Sequence, residues 1–328
     1  MKVRHWIALG AGVPAAAALA MAISTFLPQR FETFRWPETG AKGFSPSAHA
    51  PEVEIEFLRC GTITIPEPIA VRGSLSLVPC TIAHSAVLVR HPRATFLYDT
   101  GLCSDIFSYL EDQSLFFRKT LANFHFVQSL RSHLVQQQLE PGELAFVLLS
   151  HLHWDHVSGV PDLPGVPLRV NRVEYDAARL GLYEARGGLV RRLMGENETE
   201  LFDLDGPPYE GFRASYDLFG DGSVVLVPLP GHTAGNTGMF INRSNGPRLF
   251  LLGDAAWVSQ HYLRPATMHP FIWSQVTGDD ATARQTLIDL HHFANQHPEV
   301  AMIAMHDAAL QEQFMANERE NATTVELS

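Results

Sequence analysis

The stretch that most constrains this chain is Leu149-Ser150-His151-Leu152-His153-Trp154-Asp155-His156. Three imidazoles and a carboxylate stand almost side by side in it. An apolar run, Leu144-Ala145-Phe146-Val147-Leu148-Leu149, precedes them, and Gly159 and Pro161 follow. The run reads as a buried strand, so the His/Asp cluster falls on the turn at its C-terminal end. A strand fixes the position of such a turn, which makes it a common place to build a site. Four groups of this kind on one rigid turn cannot all point apart. Their chemistry is that of metal ligands.

Three later strands end in the same way. Val224 to Leu229 runs into Pro230-Gly231-His232-Thr233, Arg248 to Leu252 into Gly253-Asp254, and Val300 to Ala304 into His306-Asp307. Strand ends converge on one edge of a sheet, so these residues are candidates for a common site. Two ions need about seven protein groups plus solvent. His151, His153 and His232 suit one ion. Asp155, His156 and His306 suit the other, and Asp254, with two oxygens, suits a bridge between them. Imidazole with carboxylate points to zinc, with iron, manganese and cobalt as alternatives. The remaining histidines carry no such pattern. His84, His91, His125, His133, His291, His292 and His297 read as ordinary residues, and His261 and His269 lie in a loop passing near the site.

The rest of the chain divides simply. In residues 1–30, Lys2 and Arg4 precede an uncharged stretch from Trp6 to Pro28. Its length suits a membrane span, and its basic flank and small residues suit a signal sequence. The expectation is an uncleaved anchor with the bulk of the chain outside the cytoplasm, or export after cleavage, with cleavage points at Ala18-Leu19-Ala20 or Ala20-Met21-Ala22. Residues 31–52, with Pro37, Gly40, Gly43, Pro46 and Pro51, read as a linker, and 53–328 as the catalytic domain. Strands are expected at Leu75 to Val78, Ala86 to Val89 and Thr95 to Tyr98, the last ending in Asp99-Thr100-Gly101. Asp99 there is either a brace for a neighbouring loop or a plain turn residue. Residues 105–138 read as helix in more than one piece. Residues 185–222 read as loops over a binding face, where Arg191, Arg192, Phe202, Tyr209, Phe212 and Tyr216 are candidate lining residues. Cys60, Cys80 and Cys103 lack CxxC spacing and read as small buried residues. The formal net charge of -11, with no Lys/Arg-rich run, argues against nucleic acid as a partner.

The set HxHxDH, Pro-Gly-His-Thr, Gly-Asp and a late His, in this order, resembles the metallo-β-lactamase-fold hydrolase superfamily over about residues 53–310. The resemblance implies an α+β fold, an αββα four-layer sandwich with metals at one edge. It also implies that Asp99 supports the metal loop rather than ligating. Within the superfamily, Cys60-Gly61, Arg90-His91-Pro92, Leu97 to Leu102 and His306-Asp307 look most like N-acyl-homoserine-lactone lactonases. Many of those carry a tyrosine three residues after the bridging aspartate. Trp257 stands at that position here, and its indole N–H donates a hydrogen bond but gives up no proton as a phenol does.

These readings converge on a binuclear hydrolase of a small ester or lactone, acting through a hydroxide held between two divalent ions. Asp155 and Asp254 are the candidate catalytic carboxylates, Asp155 as ligand and proton shuttle. Trp257 is the candidate substrate contact. A phosphotriesterase or phosphodiesterase would use the same two ions. A mononuclear iron sulfur-dioxygenase would lack second-site ligands, and Asp155, His156 and His306 are all present. A membrane-tethered binding protein would show degraded ligands, and none is degraded.

Overall fold

The computed structural model describes residues 23–29, 31, 50–179 and 188–326. Twelve strands lie among them: β1 (Glu54–Pro66), β2 (Pro79–His91), β3 (Ala94–Tyr98), β4 (His125–Phe126), β5 (Val147–Leu149), β6 (Leu168–Asn171), β7 (Thr199–Phe202), β8 (Tyr216–Asp217), β9 (Val224–Pro228), β10 (Thr237–Ile241), β11 (Leu249–Leu251) and β12 (Ala301–Ile303). They form a seven-stranded sheet in the order β4-β1-β2-β3-β5-β6-β7 and a five-stranded sheet in the order β12-β11-β10-β9-β8. β1, β2 and β3 pair antiparallel, whereas β3, β5, β6 and β7 run parallel.

The layering follows from alternation along the strands, since successive side chains leave opposite faces. Val87, Val89, Phe96, Tyr98 and Leu148 of the first sheet meet Leu226, Met239, Ile241, Leu251 and Ile303 of the second. The intervening residues Ala86, Leu88, Leu97, Val147 and Leu149 face the other way, onto Ile106, Leu130, Leu134 and Leu189 of flanking helices. On the second sheet Val225, Val227, Phe240 and Phe250 pack outward onto Leu287, Leu290 and Phe293. Those three, with Ala283, form the buried stripe of the helix Asp280–Gln296 at three- and four-residue spacing. Asp279 starts that helix by accepting a hydrogen bond from the Thr282 N–H. The result is helix, sheet, sheet, helix.

Several expectations need correction. Leu75 to Val78 is not a strand. Leu75 and Leu77 are almost fully exposed, and the local backbone is tied up by serines. The Ser74 hydroxyl accepts from the Ser76 N–H, and the Ser76 hydroxyl from the Val78 N–H. Such turns compete with a sheet ladder. Residues 185–222 hold more than loops, namely the helix Leu189–Met194, β7 and β8. The lining residues proposed there serve the fold instead. Arg192 pairs with Asp112, Phe202 stacks on Tyr216, Phe212 lies in the outer core, and the Tyr209 hydroxyl accepts from Asn242. Cys60 and Cys103 are buried, Cys80 is partly exposed, and all three are free thiols.

The expected membrane span falls mostly on residues 1–22, and the expected linker mostly on 32–49. Those parts lie outside the described residues. Among the described residues no helix is long and apolar enough to cross a membrane. The short piece 23–29 rests on Arg72 and His269. The Arg72 guanidinium donates to the carbonyls of Ser24 and Leu27, and the His269 ring meets the Thr25 hydroxyl.

Candidate metal centre

β5, β9, β11 and β12 all end at one edge, and their following turns carry the seven candidate ligands. His151 and His153 come directly off β5. The short helix Trp154–Val157 then turns Asp155 and His156 inward. Trp154 is buried and wedges this turn against Phe117 and Phe124. His151, His153, His232 and Asp254 each offer one atom, and all these atoms lie within 4.8 Å of one another. His156, Asp254 and His306 form a second such group. Asp254 belongs to both. Its Oδ2 lies 3.3 Å from His232 Nε2 and 3.1 Å from His306 Nε2, and its Oδ1 lies 3.1 Å from His156 Nε2. Asp155 Oδ2 stands 3.5 Å from His306 Nε2.

The ring orientations are set from behind. Asp99, fully buried at the end of β3, accepts from the Ser150 N–H at 2.8 Å and the Ser150 hydroxyl at 2.9 Å. It also accepts from His156 Nδ1 at 2.8 Å. A carboxylate there makes Nδ1 the donor and leaves Nε2 with its lone pair toward the centre. His306 is aimed the same way, its Nδ1 donating to the Ala83 carbonyl at 2.6 Å. Asp99 takes a positive φ of 57°, and Thr100 locks the next turn by donating from N and Oγ1 to the His156 carbonyl. Gly159 sits hard against that turn. A Cβ there would lie 2.1 Å from the Thr100 carbonyl oxygen.

Two groups outside the expected set take part. Glu174, fully buried, accepts from the Leu152 N–H and the Gly235 N–H, both at 2.9 Å. One side chain thus ties the His151–His156 turn to the turn after His232. Nothing in the sequence marks it, because an acidic residue in the first turn of a helix is ordinary. His84, on β2, also reaches the centre, its Nδ1 3.4 Å from Asp155 Oδ2. By contrast His261 does not reach the ligand cluster. Its Nε2 bonds the Ala70 carbonyl and its Nδ1 accepts from the Trp257 N–H.

The charge balance suits a cation site. Burial opposes charge on every group. At His156 the carboxylates of Asp254, Asp99 and Asp155 outweigh it and hold the imidazole well above its usual range. His306 is raised in the same way, mainly by Asp254. His151, with imidazoles for most of its neighbours, is pushed well below by burial. Burial also acts against ionisation of Asp254, but His306, His156 and His232 keep it well below the usual carboxylate range. Asp155 is likewise low, through His156, His84 and His306. His156 Nε2 and Asp254 Oδ1 are buried without hydrogen-bond partners. Buried polar atoms are nearly always paired, so donor atoms left unpaired inside an imidazole and carboxylate cluster fit divalent metal ions.

A cavity opens on this cluster. It is bounded by His84, His153, Asp155, Asp254, Trp257 and His306, and otherwise mainly by aliphatic side chains. Trp257 lies edge-on to His306, ring centres 5.0 Å apart. A larger cavity of about 600 Å³, between residues 28–31 and the loop 264–266, holds none of the seven ligands.

Comparison with known proteins agrees with this geometry. The N-acyl homoserine lactonase AttM of Rhizobium radiobacter is 29% identical over 123 residues, 38% of this chain and 45% of that protein. The chain therefore spans less than half the length of that relative. A probable metallo-hydrolase of Mycobacterium tuberculosis is 24% identical over 286 residues, 83% of this chain and 86% of its own. Among solved structures, an N-acyl homoserine lactone hydrolase with N-hexanoyl-L-homoserine at its catalytic metal center superposes with a TM-score of 0.60. It shares 17% identity and covers 80% of this chain and 96% of its own. The family model described as the metallo-beta-lactamase superfamily matches residues 81–284. The chain belongs to the metallo-beta-lactamase superfamily.

Proposed function

We propose that this protein hydrolyses a small ester or lactone with an apolar substituent, using two divalent ions. The observation that carries the reading is one buried carboxylate, Asp254, shared by two ligand groups at the floor of an aliphatic cavity. His151, His153 and His232 would hold one ion, Asp155, His156 and His306 the other, with Asp254 between them. Such a pair supplies a water-derived nucleophile at neutral pH and polarises a carbonyl. Zinc suits the donor set, and iron, manganese or cobalt could replace it.

The residues above the ligands define what would enter. Ile63, Ile65, Ile69, Ile82, Leu121 and Ile272 give an aliphatic wall. No lysine or arginine lies among the described residues of the lining, which favours an uncharged ester over a charged phosphodiester. The Trp257 indole N–H is buried without an acceptor, which supports its donating to a substrate oxygen. Asp155 is the more exposed of the two site carboxylates, at 12% against 2% for Asp254. That supports Asp155 as the route by which a proton leaves. The uncharged stretch Trp6 to Pro28 supports placing the domain at the outer face of a membrane. Fractionation in which the intact chain is released by high salt alone would count against that placement.

Elemental analysis of the full chain, followed by a panel of lactones, aryl esters and phosphoesters, tests the reading. About two equivalents of metal with turnover of lactones or esters supports it. Metal-loaded protein that leaves both classes untouched, or prefers phosphotriesters, overturns it.

A further inference from the structure

His84 is a buried imidazole with no hydrogen bond to either nitrogen among the described residues. That condition costs about 1–3 kcal/mol wherever it occurs, so the ring needs a reason for its position. Three aromatic rings enclose it: Phe124 and Trp154 at 5.7 Å, and His306 at 5.6 Å, centre to centre. Phe124 offers no acceptor at all. The polar groups facing the ring are Asp155 and His306, and both belong to the second ligand set.

The spacing is informative. Ligand atoms about 2.1 Å from one ion stand ~3.0–3.6 Å apart at the 90–120° angles of a five-ligand site. His84 Nδ1 lies 3.4 Å from Asp155 Oδ2, and that oxygen lies 3.5 Å from His306 Nε2. The three residues each offer an atom within 4.8 Å of the others. A hydrogen bond would draw Nδ1 closer than 3.4 Å.

From this we infer that His84 is a further ligand of the second ion. The inference rests on the two-ion reading above. The first site would then hold His151, His153, His232 and the shared Asp254. The second would take His84, Asp155 and His306, which form one group, together with His156 and Asp254, which form another with His306. The two sites are chemically unequal, and the second favours an ion that accepts more than four ligands, such as cobalt, manganese or iron.

The test uses the full chain, stripped by a chelator and titrated with Co²⁺, for wild type, H84Q and H84L. Wild type decides the two-ion reading: binding of a single equivalent overturns that reading and the assignment of His84 with it. With two equivalents bound, the variants decide the inference alone. The first equivalent should bind alike in all three proteins. The second should bind at least tenfold more weakly in the variants, with a changed cobalt absorption band. The paramagnetic proton spectrum should also lose one hyperfine-shifted imidazole resonance. Weaker binding with every shifted resonance retained makes His84 a positioning residue for Asp155 and refutes ligation. Unchanged binding and spectra, with or without a change in KM, refute it too. Thermal unfolding of the metal-free forms separates ligation from a structural role. H84L replaces an unsatisfied buried imidazole with an apolar side chain, so it should melt at or above wild type.

Discussion

Asp99→Asn probes the support behind the metal turn while changing little volume. Asp99 is fully buried and accepts three hydrogen bonds, two from Ser150 and one from His156 Nδ1. An asparagine turned to keep its oxygen on the Ser150 N–H places its NH2 against the Ser150 hydroxyl and His156 Nδ1. The hydroxyl can rotate and accept. His156 can accept only by moving its proton to Nε2, the atom 3.1 Å from Asp254. That proton sits where ligation needs a lone pair. Restoring the ligating tautomer leaves two N–H groups facing each other, an unpaired buried donor costing about 1–3 kcal/mol. By RT ln K this weakens the second ion by about 5- to 150-fold, in line with the effect of losing a residue that orients a metal-bound histidine. The first ion should be affected less, because only the Ser150 hydroxyl, 2.9 Å from His151 Nδ1, links Asp99 to its ligands. Competition titration against a chromophoric chelator resolves the two steps, and circular dichroism confirms the fold. Two ions bound at wild-type affinity in D99N would show that Asp99 does not orient the site.

Three further outcomes are expected. Gly159→Ala drives a Cβ to 2.1 Å from the Thr100 carbonyl oxygen, a backbone atom that cannot step aside; it should cost about 3 kcal/mol or more and lower Tm by roughly 6–12 °C, and an unchanged melt would contradict the close packing. His261 is held down to about 4 by burial, below its ordinary 6.5. The neutral ring therefore contributes stability in full above pH ~6.5 and loses it as pH falls through that value toward 4. Metal-free protein should lose about 2 kcal/mol between pH 7 and pH 5 from this residue, and urea unfolding of H261Q should lack that part of the slope. Burial pushes the thiols of Cys60 and Cys103 up to about 12 and that of Cys80 up to about 11. All three should resist a disulfide reagent at pH 8 in the native state and react on denaturation; fast native labelling of Cys60 would refute its burial.

The cluster of candidate ligands was legible because coordination restricts both residue type and place. His151, His153, Asp155 and His156 announce themselves by local spacing, and His232, Asp254 and His306 by following apolar runs. The layers were expected from the family resemblance, and alternation in β2, β9 and β10 is what builds them. What escaped depends on contacts between distant parts of the chain. His84 is one polar residue inside a strand, and only the fold sets it beside Asp155. Glu174 looks like any first-turn acid until its two backbone partners are seen. Leu75 to Val78 misled because apolar residues alternating with serine satisfy a strand pattern, while the serine hydroxyls close local turns instead. The aromatic residues of 185–222 suit a pocket lining or plain packing equally in composition, and Phe202, Phe212 and Tyr216 pack in the fold.

The placement of the ligands has a consequence for how the molecule holds together. His151, His153, Asp155 and His156 leave the seven-stranded sheet, whereas His232, Asp254 and His306 leave the five-stranded one. Each bound ion would therefore rivet one half of the chain to the other, at the open end of the seam between the sheets. Binding to the folded form alone raises stability by about 4 kcal/mol when the free ion exceeds its Kd a thousandfold. Metal supply would then set not only the rate of turnover but the lifetime of the protein, since a starved chain has an unfastened seam for a protease to enter.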